Sequence, residues 1–207
     1  METELLTIFD DEGRRIGTAE RGEAHRKGYW HQAIHCWFIS REAGETFIYF
    51  QKRSSSKKDY PDLYDITAAG HLLSHETISD GVREVEEELG ISVTMEELVS
   101  LGVLKYCIEK KELSFIDKEI AHLFLFEYEG TMEDFQLQRE EVSGIVKAEF
   151  NSFIELFEGK REVIAITGFE LLEDGRSAVE KEIGRTGFVP HDLSYYRSVA
   201  DKITENL

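Results

Sequence analysis

Four glutamates fall within five consecutive positions, Glu84, Glu86, Glu87 and Glu88, with Arg83 directly before them and Gly90 just after. Residues at i, i+3 and i+4 share one face of an α-helix, so a helix here turns Glu84, Glu87 and Glu88 to one side and Glu86 to another. Like charges at that spacing destabilise a bare helix by roughly 0.2–0.5 kcal/mol per pair, so three in register call for a neutralising cation. Clustered hard oxygen ligands suit Mg²⁺ or Mn²⁺. The pattern predicts a helix from about Ser79, as N-cap, to Leu89, stopped by Gly90.

The wider segment resembles the Nudix box, the signature of the Nudix hydrolases. That pattern is Gly, five residues, Glu, seven residues, Arg-Glu, an aliphatic, any residue, Glu-Glu, any residue, Gly, an aliphatic. Gly70, five residues and Glu76 fit, and Arg83-Glu84-Val85-Glu86-Glu87-Glu88-Leu89-Gly90-Ile91 fits at every specified position. The departure is a loop of six residues, not seven, between Glu76 and Arg83. A deletion there shortens the loop, spares the helical face, and bears on how Glu76 meets Arg83. The resemblance implies Glu84, Glu87 and Glu88 as ligands of Mg²⁺ (or Mn²⁺), with Gly70, Glu76, Arg83 and Gly90 shaping the box. The alternative is a solvated acidic helix face.

The 207 residues, 41% hydrophobic and 11% aromatic, suffice for one well-packed domain. A net charge of −18 argues against binding a nucleic-acid backbone, whereas a phosphorylated small molecule can bind through bridging cations. Cys36 and Cys107 lie in apolar or strand-like runs without a CxxC pair, and read as buried free thiols. The N-terminus lacks the basic and apolar regions of a signal peptide, and no apolar run approaches the ~18 residues of a membrane span. A soluble, cytoplasmic protein without membrane or nucleic-acid partners is expected, with a homodimer left open.

Along the chain, Leu5 to Phe9 and Arg15 to Thr18 predict a hairpin, and Glu20 to Lys27 a short helix or turn ending at Gly28. Strands are expected at 31–39, 46–51, 101–109, 113–128 and 143–150, the long pair turning around Lys110-Lys111-Glu112. Asn151 is expected to cap a helix through Phe157. Residues 160–187 are ambiguous, helix and loop, and Asp192 to Asn206 reads as an amphipathic helix with Tyr195, Tyr196, Val199 and Ile203 inward. The sum is an α+β class, a Nudix α/β/α sandwich with mixed sheet and a C-terminal helical extension. The expected organisation is one domain over 1–207, with its core at about 30–157, an N-terminal extension over 1–29 and a C-terminal one over 158–207.

The histidines sharpen the resemblance. Ala24-His25, His31 before an apolar strand, the Lys/Arg-rich stretch 51–61 and Gly70-His71 resemble the type 1 isopentenyl diphosphate isomerase branch of the superfamily. That branch implies a second divalent ion held by His25, His31 and His71 with Asp117 and Glu119, and a site tyrosine at Tyr106. Asp117 and Glu119 share one face of a strand. The branch's isomerases carry a cysteine before Gly-His, where this chain has Ala69, and they degrade the hydrolytic box that this chain keeps. The residues therefore imply hydrolysis of a diphosphate linkage in a nucleoside diphosphate derivative or other organic diphosphate. An isomerase-like enzyme and a nucleotide sensor without turnover are the alternatives, and an intact box argues against the sensor.

In that reading Glu87 and Glu88 are catalytic through the metal, and the general base is Glu119 or one of Glu140 and Glu141. Arg53, Lys57 and Lys58 receive the diphosphate, or are ordinary loop charge. Trp30, Trp37 and Tyr64 could stack on a base or prenyl group, or belong to the core.

Overall fold

A computed structural model describes residues 3–110 and 115–207, together with the backbone but not the side chain of Lys110. The chain opens with a hairpin of β1 (Leu5–Phe9) and β2 (Arg15–Glu20), then α1 (Arg21–Lys27), which stops at a left-handed Gly28. β3 (Trp30–Glu42) and β4 (Glu45–Arg53) follow, then the short β5 (Tyr64–Asp65) and β6 (Ala68–His71). The box helix α2 (Arg83–Leu89) leads to β7 (Val99–Lys110), β8 (Phe115–Glu127) and β9 (Val142–Glu149). The chain closes with α3 (Phe150–Glu158), β10 (Val163–Leu172), β11 (Gly175–Gly184) and α4 (Leu193–Thr204). The expected turn at Lys111-Glu112 lies outside the described residues.

β3 is the spine of the sheet. It runs parallel to β8 from Trp30↔Lys118 to Ile39↔Glu127, and antiparallel to β4, β6 and β1 along its other edge. The order β11-β10-β9-β4-β3-β1-β2, with β8 and β7 attached through β3, makes the sheet mixed, as expected. Its two-residue period sorts the core. Trp37 and Ile39 pack with Phe50 and with Phe153, Tyr196 and Val199 of α3 and α4, while Ile34, Cys36 and Phe38 face Val85 and Leu89 of α2. Each large side chain so buried contributes roughly 1.5–3 kcal/mol. The layers are helix, sheet and helix, and no described helix is long and apolar enough to cross a membrane.

Three local expectations are corrected. Residues 163–184 form the antiparallel pair β10–β11 rather than helix and loop. Val163 to Ile166 alternate outward and inward, but the outward Val163 and Ala165 are apolar like the inward pair, so no apolar–polar alternation marks the strand. α3 is capped by Glu149, whose carboxylate accepts from the Asn151 and Ser152 amides at 3.0 and 2.8 Å, not by Asn151. Ser79 makes no capping bond, and the box helix is instead entered through a 3₁₀ turn, Asp80–Val82.

Candidate active site

The six-residue loop of the box closes on itself. Arg83 donates from Nε to Glu76 Oε1 at 2.6 Å and from Nη2 to Oε2 at 3.0 Å, and Glu76 also accepts from the Leu73 amide at 2.7 Å. Glu76 and Arg83 thus meet despite the shorter loop. Gly90 ends α2 at φ +68°, and a methyl there would sit 2.9 Å from the Gln136 carbonyl oxygen. Gly70 lies against the Glu84 carboxylate, where a methyl would collide.

The three glutamates differ in surroundings. Glu88 is buried and accepts from Gln51 Nε2 at 3.0 Å and the Ala69 amide at 3.1 Å. Burial, with Glu84 close by, pushes its carboxyl up to about 8. Glu84 is pushed up to about 7, chiefly by burial, although Arg83 Nη1 lies 2.7 Å away. The Glu87 side chain is 54% exposed and pairs with Arg83 at 3.0 Å. The face opens onto a cavity of about 460 Å³.

A second cluster opens onto the same cavity. Ring centroids of His25, His31 and His71 lie 4.6–5.3 Å apart. One donor atom from each, with one from Asp117, falls within 4.8 Å of the others. His31 Nε2 and His25 Nε2 stand 3.2 and 3.5 Å from Asp117 Oδ1, and His71 Nε2 stands 3.1 Å from Glu119 Oε1. Adjacent ligands at about 2.1 Å around one octahedral ion lie roughly 3 Å apart, so the spacing fits a divalent cation. His25 Nε2, His31 Nε2 and Asp117 Oδ1 are buried without a hydrogen-bond partner, which such an ion would supply. Burial, with Arg21 near, pushes His71 down to about 4, leaving its imidazole neutral and able to ligate at pH 7.

Glu119 Oε2 accepts from Tyr106 at 2.6 Å and from His35 at 2.9 Å. Glu141 lines the cavity in an ion pair with Lys57, whereas Glu140 is exposed outside its wall. Arg53 also lines the cavity, but its guanidinium is committed to Asp65 at 3.0 Å and to the Asp59 carbonyl. Lys58 does not line it. Trp30 lies between Lys105 and Lys118 on the surface, and Trp37 and Tyr64 are core. The rings on the cavity wall are instead Tyr60, Tyr106 and Phe115.

Sequence reasoning passed over Arg21, His35, His191 and Tyr195. Arg21 lines the cavity with a loose 3.6 Å ion pair to Glu4, and His191 Nε2 donates to Asp65 at 3.0 Å. His35 and Tyr195 looked like strand and helix core, although buried polar tips at those positions signal partners.

Residues 29–166 match the model of the NUDIX domain family. An uncharacterized Nudix hydrolase of Clostridium acetobutylicum is 41% identical over 202 residues, covering 96% of both chains. An isopentenyl-diphosphate Delta-isomerase of Mycolicibacterium vanbaalenii is 33% identical over 93 residues, 44% of this chain and 50% of its own. A solved structure from Deinococcus radiodurans superimposes with a TM-score of 0.55 at 15% identity, over 75% of this chain and 90% of that one, a likeness of fold. A relative matched almost end to end, and a family match running from just before β3 into β10, lead to one conclusion: this chain belongs to the Nudix hydrolases, enzymes that cleave acid-anhydride linkages.

Proposed function

We propose that the chain is a divalent-metal-dependent pyrophosphohydrolase acting on the diphosphate linkage of a small organic diphosphate. One observation carries the reading: the acidic face of α2 and the histidine–aspartate cluster open onto a single cavity. Glu84, Glu87 and Glu88 would hold Mg²⁺ or Mn²⁺, and His25, His31, His71 and Asp117, with Glu119 beside them, a second divalent ion. Bound there, such ions neutralise phosphate charge and acidify water.

The chain's own residues supply position and proton transfer. Arg83, fixed by Glu76, restrains Glu84 and Glu87 from one side. Arg21 and Lys57 are the cavity cations we assign to the incoming diphosphate, while Arg53 holds the loop that carries Lys57. Glu141 is the base we favour over Glu119, because Tyr106 and His35 already hold Glu119 Oε2 while Oε1 faces the histidine cluster. Water attacks phosphorus, its proton passes to Glu141, the bridging P–O bond breaks, and the leaving phosphate departs as an anion. The reading goes with a cytoplasmic location, where free thiols such as Cys36 and Cys107 persist.

The histidine cluster and the Tyr106–Glu119 bond also fit an isomerase of isopentenyl diphosphate. Ala69 argues against it, because its methyl cannot exchange a proton with a carbon skeleton. The test is a screen of nucleoside diphosphate derivatives, dinucleoside polyphosphates and prenyl diphosphates with Mg²⁺ or Mn²⁺. Metal-dependent cleavage of one class supports the proposal. No cleavage of any class, with or without metal, overturns it.

A further inference from the structure

Glu119 sits on β8 with its two oxygens assigned to different neighbours. Oε1 stands 3.1 Å from His71 Nε2, on the side of the histidine cluster. Oε2 accepts from Tyr106 and, at 2.9 Å, from His35 Nε2. His35 is 2% exposed, and its other nitrogen, Nδ1, lies 2.7 Å from the Tyr195 hydroxyl. A carboxylate only accepts, so Nε2 must carry the proton; neutral imidazole then offers the Nδ1 lone pair, and Tyr195 donates to it. The Tyr195 ring also packs against Tyr106, 5.1 Å between centroids, so one residue of α4 braces both donors to Oε2. Tyr195 lies beyond residues 29–166, the stretch that matches the family.

We propose that Tyr195 and His35 are positioning residues that pin Oε2 and so aim Oε1 of Glu119 into the histidine cluster. One donor to Oε2 leaves the carboxylate free to rotate about that bond, and a second fixes its plane. Without the Tyr195 hydroxyl, nothing holds the tilt of the His35 ring, its Nε2–H bond to Oε2 lengthens, and the carboxylate turns on the Tyr106 bond that remains. The reading extends the active site past the family domain into the last helix. It rests on the proposed role of the histidine cluster, with Glu119 at its edge.

The test uses the full chain with Tyr195→Phe, His35→Gln and His35→Leu. Long-range ¹H–¹⁵N spectra of the metal-free protein read the His35 tautomer directly. A single Nε2–H form is expected in both, with the Nε2 proton moved downfield by the carboxylate in the parent and upfield of that position in Tyr195→Phe; an unchanged spectrum overturns the proposal. Mn²⁺ alone is then titrated in a Glu88→Gln background, which weakens the box site, and the share of binding that His31→Ala removes is assigned to the cluster. His35→Leu should weaken Mn²⁺ about 10-fold, the scale for residues that orient ligands, and His35→Gln, which keeps an N–H donor, less than about threefold. Equal affinity in His35→Leu and parent overturns the proposal. With the box glutamates intact, kcat should fall with KM nearly unchanged. If the Glu88→Gln parent binds no Mn²⁺ that His31→Ala removes, the metal reading of the cluster fails, and the tautomer spectra still decide the positioning claim. Should His35→Leu fail to fold, Tyr195→Phe and His35→Gln carry the comparison.

Discussion

Replacing Glu88 by glutamine separates what the box does for stability from what it does for chemistry. The Glu88 carboxyl, 4.5 in an ordinary setting, is raised to about 8 in the metal-free fold, first by burial and then by Glu84. At pH 7 folding must therefore protonate a group that is ionised in the unfolded chain. The cost is about 1.4 kcal/mol for each of the 2.5 pH units between 4.5 and 7, an upper bound of about 3.5 kcal/mol. Glutamine avoids that cost and keeps an oxygen for the Gln51 and Ala69 donors. Metal-free Glu88→Gln should thus be more stable than the parent, by roughly 2–4 °C in Tm per kcal/mol gained. The sign follows from linkage: the folded-state value is raised, so the gain is absent below pH ~4.5 and grows as pH rises towards ~8. Scanning calorimetry from pH 5 to 8, with and without Mn²⁺, reads both halves. The parent should gain stability from Mn²⁺ and the variant much less, while turnover falls by at least about two orders of magnitude. A metal-free variant less stable than the parent at pH 8, or wild-type turnover with Mg²⁺, would refute the reasoning.

Three further outcomes follow from the same geometry. Metal binding at pH 7 should release between one and two protons, because Glu84 and Glu88 are raised to about 7 and 8; calorimetric heats should vary with buffer ionisation enthalpy, and that dependence should fade by pH ~9. Gly90→Ala should cost about 2 kcal/mol in urea unfolding, because alanine at φ +68° is strained and its methyl meets the Gln136 backbone; a loss under about 0.5 kcal/mol would show that α2 tolerates another ending. Isopentenyl diphosphate incubated in deuterated water should gain no deuterium, since Ala69 offers no acid; efficient exchange would revive the isomerase reading.

The parts legible in the sequence are those where residue type alone dictates the arrangement. The glutamate spacing and Gly90 specify a helix and its end before any tertiary contact, and Asp117 and Glu119 share a face because strands alternate. The convergence of His25, His31 and His71 came from resemblance, since three residues on α1, β3 and β6 meet only once the sheet forms. The β10–β11 hairpin was missed because β10 opens with apolar residues on both faces, Val163 and Ala165 outward and Ile164 and Ile166 inward, and so shows no two-residue apolar–polar period. The guanidinium of Arg53 is taken up by Asp65 and the Asp59 carbonyl, pairings that only the folded loop makes, so this residue looked more available to phosphate than it is. Tyr195 was read as an inward-facing core residue, which it is, but its hydroxyl partner on β3, His35, carries no signal in sequence spacing.

Whether the box helix and the histidine cluster serve one reaction chamber is decided by anomalous diffraction from a Mn²⁺-soaked crystal. Two peaks are expected in the same cavity. One should lie beside the Glu84 and Glu88 carboxylates, and the other within roughly 2.0–2.3 Å of nitrogens from His25, His31 and His71. A cavity with no manganese at the glutamates, or histidine rings bonded only to protein groups under saturating metal, would contradict it.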